Sequence, residues 1–189
     1  AHQAALFAKV MLAGTRFVTD ETEEAGFEQG IFVDVFPYDA VCADAEAAKR
    51  QRRRCMTWQS MLYLYHSKHI VVPHAGVLGA VERGVCSVAH YVVRAVCSPA
   101  RIFREFNAAA TVANDDAAAD ALMISSYAAI EPYPRAMFLP PSEIVFEDST
   151  FPAPADVEGY LEKLYGKTWN QLPPEGRRRN HAPKVLEFG

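Results

Sequence analysis

The sequence predicts an α+β fold, in which a small mixed sheet has a helical segment inserted into the chain and packed beside it. Three observations predict this class. Residues 31–36 form a nearly continuous apolar run of strand-forming side chains. Helical periodicity extends over most of residues 43–120. The C-terminal part then shows a hairpin pattern followed by a capped helix.

Length and composition are those of one globular domain. The chain has 189 residues, of which 50% are hydrophobic and 22% charged. We therefore assign residues 1–189 to a single domain, with residues 43–120 as its helical insertion. The formal net charge of −4 argues against a general nucleic-acid-binding protein, which would carry a basic excess.

The four cysteines and the apolar runs indicate the compartment. The cysteines form no CxxC pair and have no histidines at zinc spacing, so we expect free thiols in a reducing, cytoplasmic environment. No signal peptide is visible. The longest apolar run, residues 76–98, is interrupted by Glu82, Arg83, His90 and Arg94. It therefore predicts a core or interfacial helix, compatible with peripheral membrane contact, and not a membrane-spanning one.

The N-terminal elements follow from periodicity and breakers. Residues 3–16 predict a helix with Leu6 and Val10 on its inner side, and residues 19–29 an acidic loop. The run at 31–36 predicts a central strand covered on both faces. Pro37 ends it, because proline cannot donate to a strand ladder.

Three helices are predicted in the middle of the chain, at residues 43–68, 76–97 and about 99–113. The first carries the basic run KRQRRR at 49–54, which is usually a solvated face and otherwise meets phosphates or an anionic surface. The second carries valines along one side, at positions 77, 81, 85, 88, 92 and 96. Ser98 and Pro99 supply the N-cap and first-turn proline of the third helix.

The C-terminal part predicts a strand, a hairpin and a helix. Residues 122–127 read as a short strand, and residues 142–151 as a β-hairpin that turns at EDST. Asp156 caps a helix that ends at Gly166 in the left-handed conformation.

Asp34 raises the main functional question, because it interrupts the apolar strand. It stands between Val33 and Val35, with Phe32 and Phe36 beyond them. A buried charge costs several kcal/mol unless it is paired or coordinated. The residue is therefore either on the outer face of a half-exposed strand or a metal-binding carboxylate of an active site.

Two blocks of sequence carry a resemblance to a known family. QGIFVDVFPYDAV at 29–41 resembles the central block of the LicD family. FLPPSEIVFEDSTFPAPADVEGYLEKLYGKTWNQLPPEGRRRNH at 138–181 resembles the family's C-terminal block, with its hairpin, helix, LPP, arginine and histidine. The family includes bacterial cholinephosphotransferases and fukutin-type proteins. The resemblance implies a nucleotidyltransferase-like fold and transfer of a phosphocholine-like group from a CDP-activated donor, such as CDP-choline, to a cell-surface glycan.

The resemblance also implies a metal-dependent site. Asp34 would be the carboxylate on the neighbouring strand that, with a D-x-D pair, holds Mg²⁺ (or Mn²⁺) against the diphosphate, and so would be catalytic. His181 would be a general base or phosphate contact, with a surface histidine as the alternative.

Four further residues are assigned to substrate binding. Arg177 and Arg179 could clamp a diphosphate, although the family pattern requires only one arginine there and solvation is the alternative. Asp39 matches a family position and could equally be a turn cap. Tyr38, with Trp58 and Trp169, could form a cation–π box for choline, although nothing in their spacing requires it.

The sequence departs from the family pattern upstream of Asp34. The glycine loop and the DDD-rich segment expected there are missing from these residues. We therefore expect either the C-terminal part of a longer enzyme or a chain that has lost catalysis. The alternative function is a non-catalytic glycan- or membrane-associated module that works through residues 49–54 and the valine-rich helix. A third reading is a nucleotidyltransferase acting on nucleotide or antibiotic substrates.

Overall fold

The computed structural model describes residues 5–26, 29–67, 72, 74–178 and 183–189, and it has an α+β fold, as predicted. The strands are β1 (Ala8–Met11), β2 (Arg16–Val18), β3 (Phe32–Val35), β4 (Tyr38–Ala40), β5 (Leu122–Ser125), β6 (Tyr133–Pro134), β7 (Ser142–Phe146), β8 (Ser149–Ala153) and β9 (Val185–Glu187). The helices are α1 (Asp20–Ala25), α2 (Ala45–His66), α3 (Gly76–Val96), α4 (Pro99–Ala110) and α5 (Val157–Tyr165). Short 3₁₀ turns cover Thr111–Ala113, Arg135–Met137 and Glu175–Arg177.

The strands form several small antiparallel sheets in place of the single mixed sheet that the sequence predicts. The pairings are β1 with β3, β2 with β9, β4–β5–β6, and β7 with β8. The expectation that residues 31–36 form a central, doubly covered strand is wrong. In the described part of the chain β3 pairs with β1 alone, and its Val33 and Val35 are 67% and 48% exposed.

The prediction of a helix at residues 3–16 is also wrong, because this segment forms β1 and β2. Thr15 accounts for the turn between them. Its hydroxyl donates to the Leu12 carbonyl (2.7 Å) and accepts from the Ile31 amide (2.9 Å). The predicted acidic loop contains α1, which begins with a capping box between Thr19 and Thr22. Acidic side chains in the first turn of a helix stabilise the helix through its dipole.

The predicted helices at 43–68, 76–97 and 99–113 correspond to α2, α3 and α4. Asp44 caps α2 by accepting from the Ala47 amide (2.8 Å). Ser98 caps α4 by accepting from the Arg101 amide (3.2 Å), and Pro99 occupies the first turn. These local signals explain why the helical boundaries are readable from the sequence.

The core lies mainly between α2 and α4 and extends to β5. Its fully buried members include Cys55, Leu62, Ile102, Phe106 and Ile124. Trp58, Met61 and Tyr65 are partly buried and pack against them.

The C-terminal hairpin and helix follow the prediction closely. The strands β7 and β8 join through a two-residue turn at positions 147 and 148, with Ile144 opposite Phe151. Asp156 accepts from the Gly159 amide (2.9 Å) to cap α5, and Gly166 ends the helix with φ +85°. Only glycine adopts such a φ without strain.

Candidate functional site

Asp34 forms an ion pair with Lys9. The antiparallel register of β1 and β3 places the two residues opposite each other, and Lys9 Nζ lies 2.8 Å from Asp34 Oδ1. The side chains are 18% and 27% exposed, so the pair is largely shielded from water. The ammonium also lies 3.5 Å from the centre of the Phe32 ring and 5.3 Å from that of Phe7. Lys9 is thus held by a carboxylate and by aromatic faces together.

This pair compensates the Asp34 charge without a metal ion. Among the residues that the structure describes, no three His, Cys, Asp or Glu side chains come close enough to hold a metal. Mg²⁺ requires several oxygen ligands in octahedral geometry. The described residues therefore do not fit a complete Mg²⁺ or Mn²⁺ site. The roles of Asp34 as a metal ligand and as a catalytic residue stay predictions.

Tyr38 lies in an aromatic cluster, which we define as Tyr38, Tyr133, Phe138 and Tyr160. The Tyr38 ring centre is 4.7 Å from that of Phe138 and 5.9 Å from that of Tyr133, and Tyr160 is 5.6 Å from both Tyr133 and Phe138. Burial raises the pKa of the Tyr38 hydroxyl well above its usual value, and the neighbouring Tyr160 raises it further. Tyr38 therefore stays neutral and serves as a hydrogen-bonding group.

Trp58 packs against the helical core and Tyr38 against the aromatic cluster. Among the described residues no ring contact joins Tyr38 to Trp58 or Trp169, and the choline box of these three residues stays a prediction. The cation that does meet the cluster is Lys163, whose Nζ lies 4.6 Å from the centre of the Tyr133 ring and donates to the Pro132 carbonyl. The Tyr133 hydroxyl is buried and finds no hydrogen-bond partner among the described residues.

Asp39 is hydrogen-bonded to the segment that follows α4. Its Oδ1 accepts a hydrogen bond from Asn114 Nδ2 (2.8 Å), while Asn114 Oδ1 accepts from the Ala40 amide (2.9 Å). This exchange joins β4 to the turn at Thr111–Ala113. Asp39 and Asp34 thus have different partners, one an asparagine amide and the other a lysine ammonium.

The C-terminal candidates are only partly described. Arg177 is the last residue of the 3₁₀ turn at Glu175–Arg177, and the structure describes its backbone but not its side chain. Arg178 donates from Nε to the Pro173 carbonyl (2.8 Å). Arg179 and His181 lie outside the described residues, so their assignments stay predictions.

The basic run of α2 borders a shallow groove of about 680 Å³. Its charged lining residues are Lys49, Arg52 and Arg53, and the rest is polar or apolar. Two of these cations already have partners: Arg52 pairs with Glu131 (2.6 Å) and Lys49 with Glu46 (2.7 Å). The run is therefore a mixture of tethered and solvent-facing cations.

Gln51 is buried, although the sequence predicts a solvated face for the basic run that contains it. It is 3% exposed. Its amide nitrogen donates to the carbonyls of Ala40 and Ala110 (2.9 Å each), and its oxygen accepts from the Cys42 amide (3.0 Å). Gln51 thus joins α2, α4 and the end of β4. Gln51 precedes the buried Cys55 by four residues, a spacing that places both residues on the same face of the helix.

A second cleft, of about 430 Å³, lies between the β1–β2 turn and α1. It is lined largely by backbone and small side chains, including Thr15, Thr22 and Gly30. Nothing in the sequence reading pointed to it. Glu23 lines it and pairs with Lys184 (2.8 Å).

No protein-family model matches this chain, and no curated protein or solved structure shows significant similarity to it. The likeness of its two blocks to the LicD family therefore stays a prediction from the residues themselves. None of the helices in the described ranges combines the length and hydrophobicity needed to cross a bilayer.

Proposed function

We propose that this chain contributes to a LicD-type phosphotransferase, which moves a phosphocholine-like group from a CDP-activated donor to a cell-surface glycan. The observation that supports this most is the contact between the two blocks that resemble the family. Tyr38 comes from the first block, Phe138 and Tyr160 come from the second, and their rings meet around Tyr133. Segments about a hundred residues apart in the chain thus form one local structure.

In this proposal Asp34 would hold, together with carboxylates from outside these residues, the divalent cation that neutralises the diphosphate. Lys9 keeps the Asp34 side chain in place across the β1–β3 pair. Phosphoryl transfer depends mainly on positioning and on charge stabilisation. The family pattern would add the remaining carboxylates from outside these residues.

The test is transferase activity of the full-length protein with CDP-choline and its glycan acceptor. Asp34→Asn keeps the shape of the side chain and removes its charge. We expect a loss of turnover of more than about a hundredfold, as for removal of a key electrostatic group. Asp148→Asn, in the exposed hairpin turn, is the matched control and should retain activity. Turnover of Asp34→Asn within about tenfold of the parent, with a folded protein, would rule out the assigned role.

A second candidate is a non-catalytic module that binds an anionic glycan or membrane surface. The groove along α2 favours it, because Arg53 lines the groove and has no acidic partner in the described part of the chain. This module would bind anionic vesicles in a salt-sensitive manner and would not bind CDP-choline in the presence of Mg²⁺. Co-sedimentation with phosphatidylserine vesicles, combined with calorimetry of CDP-choline binding, separates the two candidates.

A further inference from the structure

Helix α3 turns its apolar side away from the rest of the protein. We call this side the α3 outer face, and its members are each at least 53% exposed. They are Val77, Leu78, Val81, Val85, Val88, Tyr91, Val92 and Val96. The inward side is small by comparison: Gly79, His90 and Val93 are the buried residues of the helix, and His90 Nδ1 contacts the Leu64 carbonyl (2.7 Å). Contiguous apolar surface of this kind marks an interaction site.

The spacing along the α3 outer face matches a helix–helix seam. Four of its members, Val77, Val81, Val88 and Tyr91, continue through Gly84 and Ala95 in alternating steps of four and three, which is the heptad period of helices that pack along their length. Leu78, Val85 and Val92 widen the seam on one flank. The helix side that packs against α2 and the core lies opposite, around His90 and Val93. A second helix can therefore lie along α3 without displacing a contact among the residues that the structure describes.

Gly84 gives independent support for close helix packing. It stands in the middle of α3, where glycine is less favourable than alanine. A Cβ atom at this position would meet no atom of the described residues within 4 Å. Contacts within the described part of the chain therefore do not require a glycine here. Small residues at a seam position allow two helices to approach closely, and Ala95 is a second one.

We propose that the occupant is a second copy of this chain, with the α3 outer faces of two copies packed against each other. At 1.5 Å per residue and a diameter of about 10–12 Å, a sector of about 140° along α3 covers roughly 400–450 Å². Two such faces total about 850 Å², an area typical of weak, reversible association. All eight members of the face are uncharged, so two identical faces meet without charge repulsion.

A bilayer surface fits the same face less well. Helices that lie in a membrane interface insert bulky Trp, Phe or Leu side chains and carry many Lys and Arg residues on their polar side. The α3 outer face is mainly valine, and α3 contains two arginines, Arg83 and Arg94, and one acidic residue, Glu82. A heptad spacing favours packing against a partner helix.

The test is the concentration dependence of oligomeric state by sedimentation velocity, using the full-length protein. We expect a reversible dimer. The double variant Val81→Glu/Val88→Glu introduces charge at the centre of the face and should be monomeric with an unchanged circular dichroism spectrum. The matched control, Val112→Glu/Val145→Glu, adds the same charge at two valines that are 61% and 77% exposed elsewhere, and it should dimerise like the parent.

A second variant separates packing from folding. Gly84→Leu adds a large side chain at the centre of the seam, and leucine favours the helix more than glycine does. No atom of the described residues lies within 4 Å of a Cβ at this position. It should melt no lower than the parent as a monomer, yet raise the dimer dissociation constant by at least about tenfold. A parent protein that stays monomeric up to high concentration would overturn the proposal. So would an unchanged dimer in both face variants, or a monomer that binds lipid vesicles through Val81 and Val88.

Discussion

The ion pair between Lys9 and Asp34 can be measured by a double-mutant cycle. Lys9→Met keeps most of the aliphatic stem that lies against Phe32 and removes the charge. Asp34→Asn keeps the shape of the carboxylate and removes its charge. Each single variant leaves one charged group without its partner in a site that is 18–27% exposed. The double variant removes both charges and should therefore cost less than the sum of the two single changes.

The size of the coupling follows from distance and exposure. At 2.8 Å and an effective dielectric constant of about 20, the Coulomb attraction is about 6 kcal/mol before desolvation is subtracted. Exposed pairs retain about 0.2–1 kcal/mol, and loss of one partner from a buried pair costs about 3–5 kcal/mol. For this partly shielded pair we expect a coupling free energy of about 1–2 kcal/mol.

The assay is urea denaturation of the parent, both single variants and the double variant, at low and high salt. The coupling should fall only slightly at high salt, because the site is partly shielded from counterions. A coupling below about 0.3 kcal/mol, within the usual error of additivity, would refute the reasoning. It would mean that Lys9 does not account for the placement of Asp34 among apolar residues.

The other predictions concern residues of the core and of the turn between β1 and β2. Gln51→Leu should lower the free energy of unfolding by about 3 kcal/mol, because it leaves three backbone groups without partners. The control is Gln59→Leu, which should change the free energy of unfolding little, since the buried side-chain oxygen of Gln59 has no partner in the described ranges. Burial raises the pKa of the Cys55 thiol to about 11, so the thiol of the unfolded chain loses its proton at a lower pH than that of the folded chain. The free energy of unfolding should therefore fall as the pH rises from about 9 to 11, and this fall should be smaller in Cys55→Ala. Below pH 9 alkylation with iodoacetamide should reach Cys55 last of the four cysteines; early labelling would contradict its burial. Thr15→Val should cost about 1–3 kcal/mol in thermal unfolding, since the Leu12 carbonyl and the Ile31 amide lose their shared hydroxyl.

The elements that the sequence predicted well carry their own boundary signals. Asp44, Ser98 and Asp156 each accept a hydrogen bond from an amide three residues later. Gly166 ends α5 with a positive φ. Such signals act between residues that are close in the chain, so they need no knowledge of the rest of the fold.

The errors occur where distant residues decide the structure. Residues 8–11 contain enough apolar side chains for a helix, but pairing with residues 32–35 makes them a strand. The partner of Asp34 is 25 positions away, so no local pattern could identify it. Gln51 looked solvated because its neighbours are basic, and its three partners come from β4, α4 and the segment between β4 and α2.

The sequence by itself determined the α+β class, the three long helices, the C-terminal hairpin and the strand that carries Asp34, because periodicity and caps are local properties of the chain. Only the tertiary structure decided what neutralises Asp34 and which side of α3 remains uncovered. Both depend on which segments meet in space, and that choice is made by strand register and helix packing across long stretches of chain.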